Sequence, residues 1–141
     1  PGSFAGLVPA EKYESAKARA FFFQPRRDLL VSQFAGHIDR GLAEAWKAFG
    51  ERTLVQGIAI RVFHDWEAVT GYETEARTLL TSWSLERRTL IKGVVVLTQS
   101  KLVAMGVATA NLATSMVGLQ MHSHTERASY EKELAQALAR R

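Results

Sequence analysis

A chain of 141 residues, 47% apolar and 23% charged, is long enough to bury a core and reads as one globular domain. Its net charge of +4 comes partly from scattered pairs (Arg26-Arg27, Arg87-Arg88, Arg140-Arg141), which do not form the basic stripe that a nucleic-acid surface needs. The lack of cysteine excludes disulfides, thiolate catalysis and Cys-ligated zinc, and fits a reducing, cytoplasmic setting.

Pro1-Gly2-Ser3 resembles the remnant left when a protease removes a purification tag, and carries no fold information. Residues 4–17 mix Gly, Pro and charges and predict a loose lead-in with a short turn of helix. The domain is expected to span 18–141. Residues 18–24 (ARAFFFQ) read as a strand, 25–28 (PRRD) as a turn, and 29–34 (LLVSQF) as a second strand, giving a hairpin. Asp39 is the predicted N-cap of a helix to about residue 51. Its buried stripe is Leu42, Trp46 and Phe49, at i, i+4 and i+7.

Gly57 precedes a third predicted strand at 58–64, with Ile58, Ile60 and Val62 alternating. Thr70-Gly71-Tyr72-Glu73 matches a capping box, in which Thr70 caps a helix and Glu73 reaches back. That helix would bury Ala76, Leu79, Leu80 and Trp83, and a basic connector follows at 85–92. Residues 94–98 (VVVLT) predict a strand buried on both faces.

Next comes the most unusual stretch. Between Lys101 and Glu126 there is no formal charge, counting His as neutral. Capped by Ser100, residues 102–112 form a predicted helix with Leu102, Val103, Gly106, Val107 and Ala110 on one side. Ala104, Met105, Ala108, Thr109 and Leu112 occupy the other. One side can pack on a sheet. The second is left over and reads as a contact surface. Small and polar residues interrupt the run, so a membrane span is not expected. A short strand at 119–122, a second capping box at 123–126 (SHTE), and a helix burying Tyr130, Leu134, Ala137 and Leu138 complete the chain.

The order β-β-α-β-α-β-α-β-α argues an α/β fold, with one mostly parallel sheet whose antiparallel part is the opening hairpin. No phosphate-cradling loop, dinucleotide fingerprint or Gly-x-Ser-x-Gly elbow occurs, so neither an enzyme nor a cofactor is expected. His64-Asp65 could be an acid–base pair, but neighbours on a strand point apart; the plainer reading has Asp65 bonding loop amides and His64 packing beside Trp66. His122 and His124, with a third ligand such as His64, could bind metal. The sequence places no carboxylate beside them, and Ser123 reads as the strand end, so no metal is assigned. Thr70 opens the second predicted helix, where a phosphate would be favoured, and is a candidate phosphoacceptor.

This layout resembles the STAS domain, in particular its SpoIIAA-like branch of anti-sigma factor antagonists, over residues 18–140. In that family the third strand ends in an acid, and a loop then carries Asp-Ser-Ser-Gly, whose serine a kinase phosphorylates. Phe63-His64-Asp65-Trp66 matches the strand end, and Val69-Thr70-Gly71-Tyr72 lies at the phosphoacceptor segment; the Asp-Ser pair is missing, and only Thr70 stands in for it. The tail MHSHTERASYEKELAQAL resembles the SpoIIAA-like ending. The resemblance implies a bacterial regulatory module without a cofactor. It also implies docking through the helices after strands three and four.

The expected function is therefore non-enzymatic protein binding, to a partner or to a second copy. The contact residues would be Thr70, Tyr72, Glu73, Arg77, Lys101, Met105, Ala108 and Leu112. Met105 and Leu112 would anchor, and Lys101, Glu73 and Arg77 would orient from the rim. Two rivals share that surface. One is a carrier of a small apolar ligand, needing a pocket of about 300 Å³ or more under the uncharged helix. The other is an inhibitor or immunity-type protein that blocks one toxin or enzyme.

Overall fold

Residues 7–140 are described by a computed structural model, and the tag-like Pro1-Gly2-Ser3 lies outside them. The elements run β1 (Glu11–Glu14), β2 (Ala18–Arg26), β3 (Leu29–Ile38), α1 (Arg40–Thr53), β4 (Ile60–Tyr72), α2 (Thr74–Glu86) and β5 (Ile91–Leu97). They continue with α3 (Lys101–Thr114), a 3₁₀ turn (Ser115–Val117), β6 (Gln120–His124) and α4 (Arg127–Ala139). Six strands form one mixed sheet in the order β1-β2-β3-β4-β5-β6. The first three are antiparallel, and β3 to β6 are parallel.

Strand order equals chain order, so each crossover steps the same way across the sheet. Right-handed crossovers then place α1, α2 and α3 on one face. The larger core lies there, built on Phe22, Phe34, Trp46, Trp83, Val94 and Val103. A second core lies on the opposite face, where Tyr130, Leu134 and Ala137 of α4 cover Phe63, Val95 and Leu97. The alternation is clean along β5: Val94 and Val96 enter the first core, Val95 and Leu97 the second. This confirms the expectation for VVVL of a strand buried on both sides.

Several sequence expectations are corrected. Residues 11–14 form no turn of helix but an edge strand on β2, with Glu11 opposite Phe22 and Glu14 opposite Arg19. The third predicted strand starts later, at Ile60, and ends far later, at Tyr72, staying paired with β3 across register slips between Gln33 and Ala35 and again between Gly36 and His37. Thr70 is therefore an exposed strand residue and not a helix cap. Helix α2 begins at Thr74, preceded by Glu73, whose side chain makes no cap bond to it. The second capping box fails likewise: Ser123 lies inside β6, and Glu126 precedes α4 without a side-chain cap. Leu102, expected on the packed side of its helix, is 59% exposed.

Two predicted caps are present. Asp39 accepts from the Leu42 amide at 2.8 Å, and Ser100 from the Val103 amide. Asp39 also accepts from the hydroxyls of Tyr13 (3.1 Å) and Ser15 (2.7 Å), tying the first hairpin to the start of α1. Burial alone would raise its pKa, yet these hydrogen bonds hold it below the ordinary carboxylate value. Gly36, at φ +89°, is required where β3 passes the Lys17 carbonyl, because a Cβ would sit 2.3 Å from that oxygen.

Candidate functional site

Helix α3 carries the uncharged stretch, and its packing is lopsided. Of its 14 residues only Val103 and Thr114 are buried. Leu102 (59% exposed), Met105 (66%) and Leu112 (75%) face solvent, and Met116 (86%) in the following 3₁₀ turn extends the row. Positions 102, 105, 109, 112 and 116 alternate spacings of three and four. On a helix that pattern forms one continuous seam, of the kind that packs against another helix. Thr109 is the polar member of the row. Ala108 is exposed beside it, and so is Lys101 at the start of the helix.

The other expected contact residues do not all join this seam. Tyr72 and Arg77 reach toward α3 at Gly106. A Cβ there would lie 3.3 Å from the Tyr72 hydroxyl and 3.8 Å from Arg77 Cδ. Glu73 is engaged inside the chain: Lys17 donates to one oxygen at 3.0 Å, and the Arg40 amide donates to the other at 3.0 Å. The hydrogen bond from Lys17 is the main cause that lowers its pKa. Glu73 thus serves the N-terminus of α1, not its own helix, and is not a free rim charge. Thr70 is exposed within β4, four residues before α2.

Beneath α3, between it and α2, lies a cavity of about 70 Å³, reached by His64, Trp66, Tyr72, Leu80, Val107 and Met121 among others. Trp66 Nε1 has no hydrogen-bond partner. His64 shares a 2.5 Å hydrogen bond with Ser32, its neighbour across β3, and packs at 4.9 Å from the Trp66 ring and 5.0 Å from Trp46. Burial drives its pKa down to about 3, so it is neutral at physiological pH.

Asp65 projects from the opposite face of the sheet and cannot act with His64. It is 2% exposed and accepts from Arg127 at 2.8 Å and from the Glu67 amide at 3.2 Å. Arg127, the first residue of α4, also meets Glu67 and Glu131. Burial acts to lower the guanidinium pKa, but the hydrogen bonds it donates to these carboxylates raise it above its ordinary value. The plainer reading therefore holds for His64, which packs beside Trp66, whereas Asp65 bonds an arginine and an amide within its own strand and not loop amides. A wider depression of about 400 Å³, bordered by Arg19, Phe21 and this cluster, marks where α4 leaves the sheet uncovered.

Sequence reasoning missed one grouping. Because β6 continues through Ser123, His122 and His124 project from one face, under α4. Their Nε2 atoms lie 2.8 and 2.7 Å from the same oxygen, Oε1 of Glu133. Arg61 donates to the other oxygen at 2.6 Å. Burial would raise the Glu133 pKa, but the histidine and arginine contacts bring it down to about 2. His64, once a candidate third ligand, belongs to the other face. The available signal was His-x-His on a strand; Glu133 comes into reach only once α4 is folded over β6.

No protein-family model matches the sequence, and no curated protein matches it. Among solved structures, a protein of the DUF3478 family with a SpoIIAA-like fold, from Shewanella loihica PV-4, superposes with TM-score 0.63 at 15% identity. The match covers 89% of this chain and 99% of that one. The unphosphorylated anti-sigma factor antagonist SpoIIAA matches with TM-score 0.53 at 15% identity, covering 82% and 97%. The phosphorylated form of the Bacillus cell fate determinant SpoIIAA matches with TM-score 0.56 at 16% identity, covering 81% and 98%. The chain has a SpoIIAA-like fold, as its element order suggested. Among the described residues no helix is long and apolar enough to cross a membrane.

Proposed function

We propose that this chain is a non-enzymatic regulatory module that docks a helix of a partner protein, or of a second copy, on the exposed seam of α3. One observation carries the reading: Leu102, Met105, Leu112 and Met116 stand exposed in a row along a capped helix and the 3₁₀ turn after it, with Lys101 at the start as the one charge. Contiguous exposed apolar surface marks an interaction site far more often than scattered apolar residues do. The SpoIIAA-like fold supports a regulatory role, because two of the similar structures are of an anti-sigma factor antagonist. Met105 and Leu112 are the anchors, Ala108 lets the partner backbone approach, and Lys101, Tyr72 and Arg77 border the contact. A cytoplasmic, bacterial setting belongs to this proposal. Thr70 is its candidate modification point, on the strength of exposure alone, since α2 starts too late to cap a phosphate there.

The test compares wild type with Met105→Glu by co-purification from native lysate and by sedimentation velocity over a concentration series. The proposal predicts a bound protein or a dimer in the wild type, lost in a variant that stays folded. A variant with unchanged binding contradicts it.

A second reading, a carrier of a small apolar molecule, is favoured by the cavity under α3 and the unpartnered Trp66 Nε1. At about 70 Å³ the cavity falls well short of the roughly 300 Å³ expected of a ligand pocket, so the docking reading leads. Of the three tryptophans only Trp66 lines it, so its fluorescence would report a ligand.

A further inference from the structure

The cluster on the α4 side of the sheet points to a different role. We propose that His122, His124 and Glu133 form a binding site for a divalent transition-metal ion of the zinc type, with Nε2 of each histidine and Oε1 of the glutamate as ligands. The three donor atoms all lie within 4.8 Å of one another. They also come from elements that fix their directions. His122 and His124 are two apart on β6 and so share a face, and Glu133 hangs over them from α4. Both imidazoles already point the same nitrogen at one carboxylate oxygen.

Zinc bonds of about 2.0–2.1 Å hold neighbouring donors a little over 3 Å apart in a tetrahedral site. Each histidine nitrogen, now 2.8 or 2.7 Å from Glu133 Oε1, reaches its separation from that oxygen with a movement of roughly half an ångström, and the two imidazoles, within 4.8 Å of each other, close on the ion by side-chain rotation. The carboxylate is oriented for the task. Arg61 occupies Oε2, which leaves Oε1 as the ligand atom and supplies the outer hydrogen bond that ligating carboxylates need. Arg61 also packs its guanidinium 4.9 Å from the Phe63 ring, so it is held in place.

The donor set selects the ion. Two imidazole nitrogens and one carboxylate suit zinc, nickel or copper, whereas calcium and magnesium prefer oxygen throughout. Three protein ligands leave a fourth position, and His122, with its side chain 48% exposed, leaves room for water to fill it. Arg61 offsets the charge of Glu133, so binding is expected to be weaker than in a closed Cys-rich structural site. The ion would pin the edge strand β6 to α4.

The experiment is isothermal titration calorimetry of zinc sulfate into the 141-residue chain, in a buffer that does not chelate. One ion per chain is expected. His122→Ala and His124→Ala should each weaken binding by roughly tenfold or more. His37→Ala, remote in the sheet, should leave it unchanged. Circular dichroism must show each variant folded, and His122→Ala is the safest because its ring is half exposed. Cobalt substitution gives an independent readout: visible bands of a tetrahedral site in the wild type, absent in His124→Ala. No binding at sub-millimolar zinc overturns the proposal. So does binding that survives the His122→Ala, His124→Ala double variant, or that His37→Ala alone removes.

Discussion

Helices α1 and α3 are each 14 residues long, each follows a strand of the same sheet, and each is started by a side-chain cap. They treat their surroundings in opposite ways. Helix α1 buries Leu42, Ala43, Trp46, Phe49 and Gly50 and turns its charges outward. Helix α3 buries two residues and turns apolar ones outward. Propensity and capping therefore cannot explain the difference; what each helix leaves uncovered does. A helix whose apolar positions are satisfied by the core serves stability. One whose apolar positions face water is held at a standing cost that an occupant would remove.

The comparison can be broken by substitutions on the two helices. Trp46→Ala on α1 should destabilise the protein by about 3–5 kcal/mol in chemical denaturation, because it empties space beside Phe22, Phe34 and His64. Acid should act on the same region. Between roughly pH 6.5 and 3 the unfolded chain takes up a proton that buried His64 refuses, so stability is full above that window and declines as pH falls through it. The loss is on the order of 5 kcal/mol, and His64→Gln should flatten it. Glu133, with its pKa lowered to about 2 from an ordinary 4.5, adds a further decline between those values. Acid titration of the denaturation midpoint checks both.

Smaller effects sharpen the contrast. A Cβ at Gly50 of α1 would lie 2.2 Å from the Trp83 ring, so Gly50→Ala should cost about 1–3 kcal/mol. At Gly106 of α3 the nearest atom is the Tyr72 hydroxyl, 3.3 Å away beside a cavity. That side chain can give way, and Gly106→Ala should be stabilising by up to about 1 kcal/mol through helix propensity. Thermal melts of the two variants should therefore move in opposite directions. Met105→Glu and Leu112→Ala should change stability by no more than about 0.5 kcal/mol while altering association.

The two helices also mark what could be read from the sequence. Leu42, Trp46 and Phe49 gave α1 its face because the periodic residues are the buried ones. Absence of charge flagged α3, but Leu102 was placed on the wrong side because both faces look alike. Strand β1 was hidden because an edge strand needs only alternate half-buried positions, and EKYE supplies charges at three of four. The end of β4 was hidden by its slips against β3, which break the alternation and make residues 65–72 look like loop. Thr70-x-x-Glu73 matched a local motif, yet the glutamate bonds the amide of Arg40, far away in the chain. Local spacing cannot reveal such a partner. The solvent side of Met105, Ala108 and Leu112 was legible from the helix period, and their docking role is the part that remains a proposal. The His122, His124 and Glu133 grouping depends on α4 crossing β6, which no spacing encodes.

The central claim is that the outward face of α3 is a docking surface and that of α1 is not. The direct measurement is site-specific photo-crosslinking in the native cell, with the crosslinker placed at Met105 of α3 or at exposed Ala48 of α1. The account predicts a discrete adduct, with a partner protein or a second copy, from Met105 and none from Ala48. No adduct from Met105, or the same products from both positions, would contradict it.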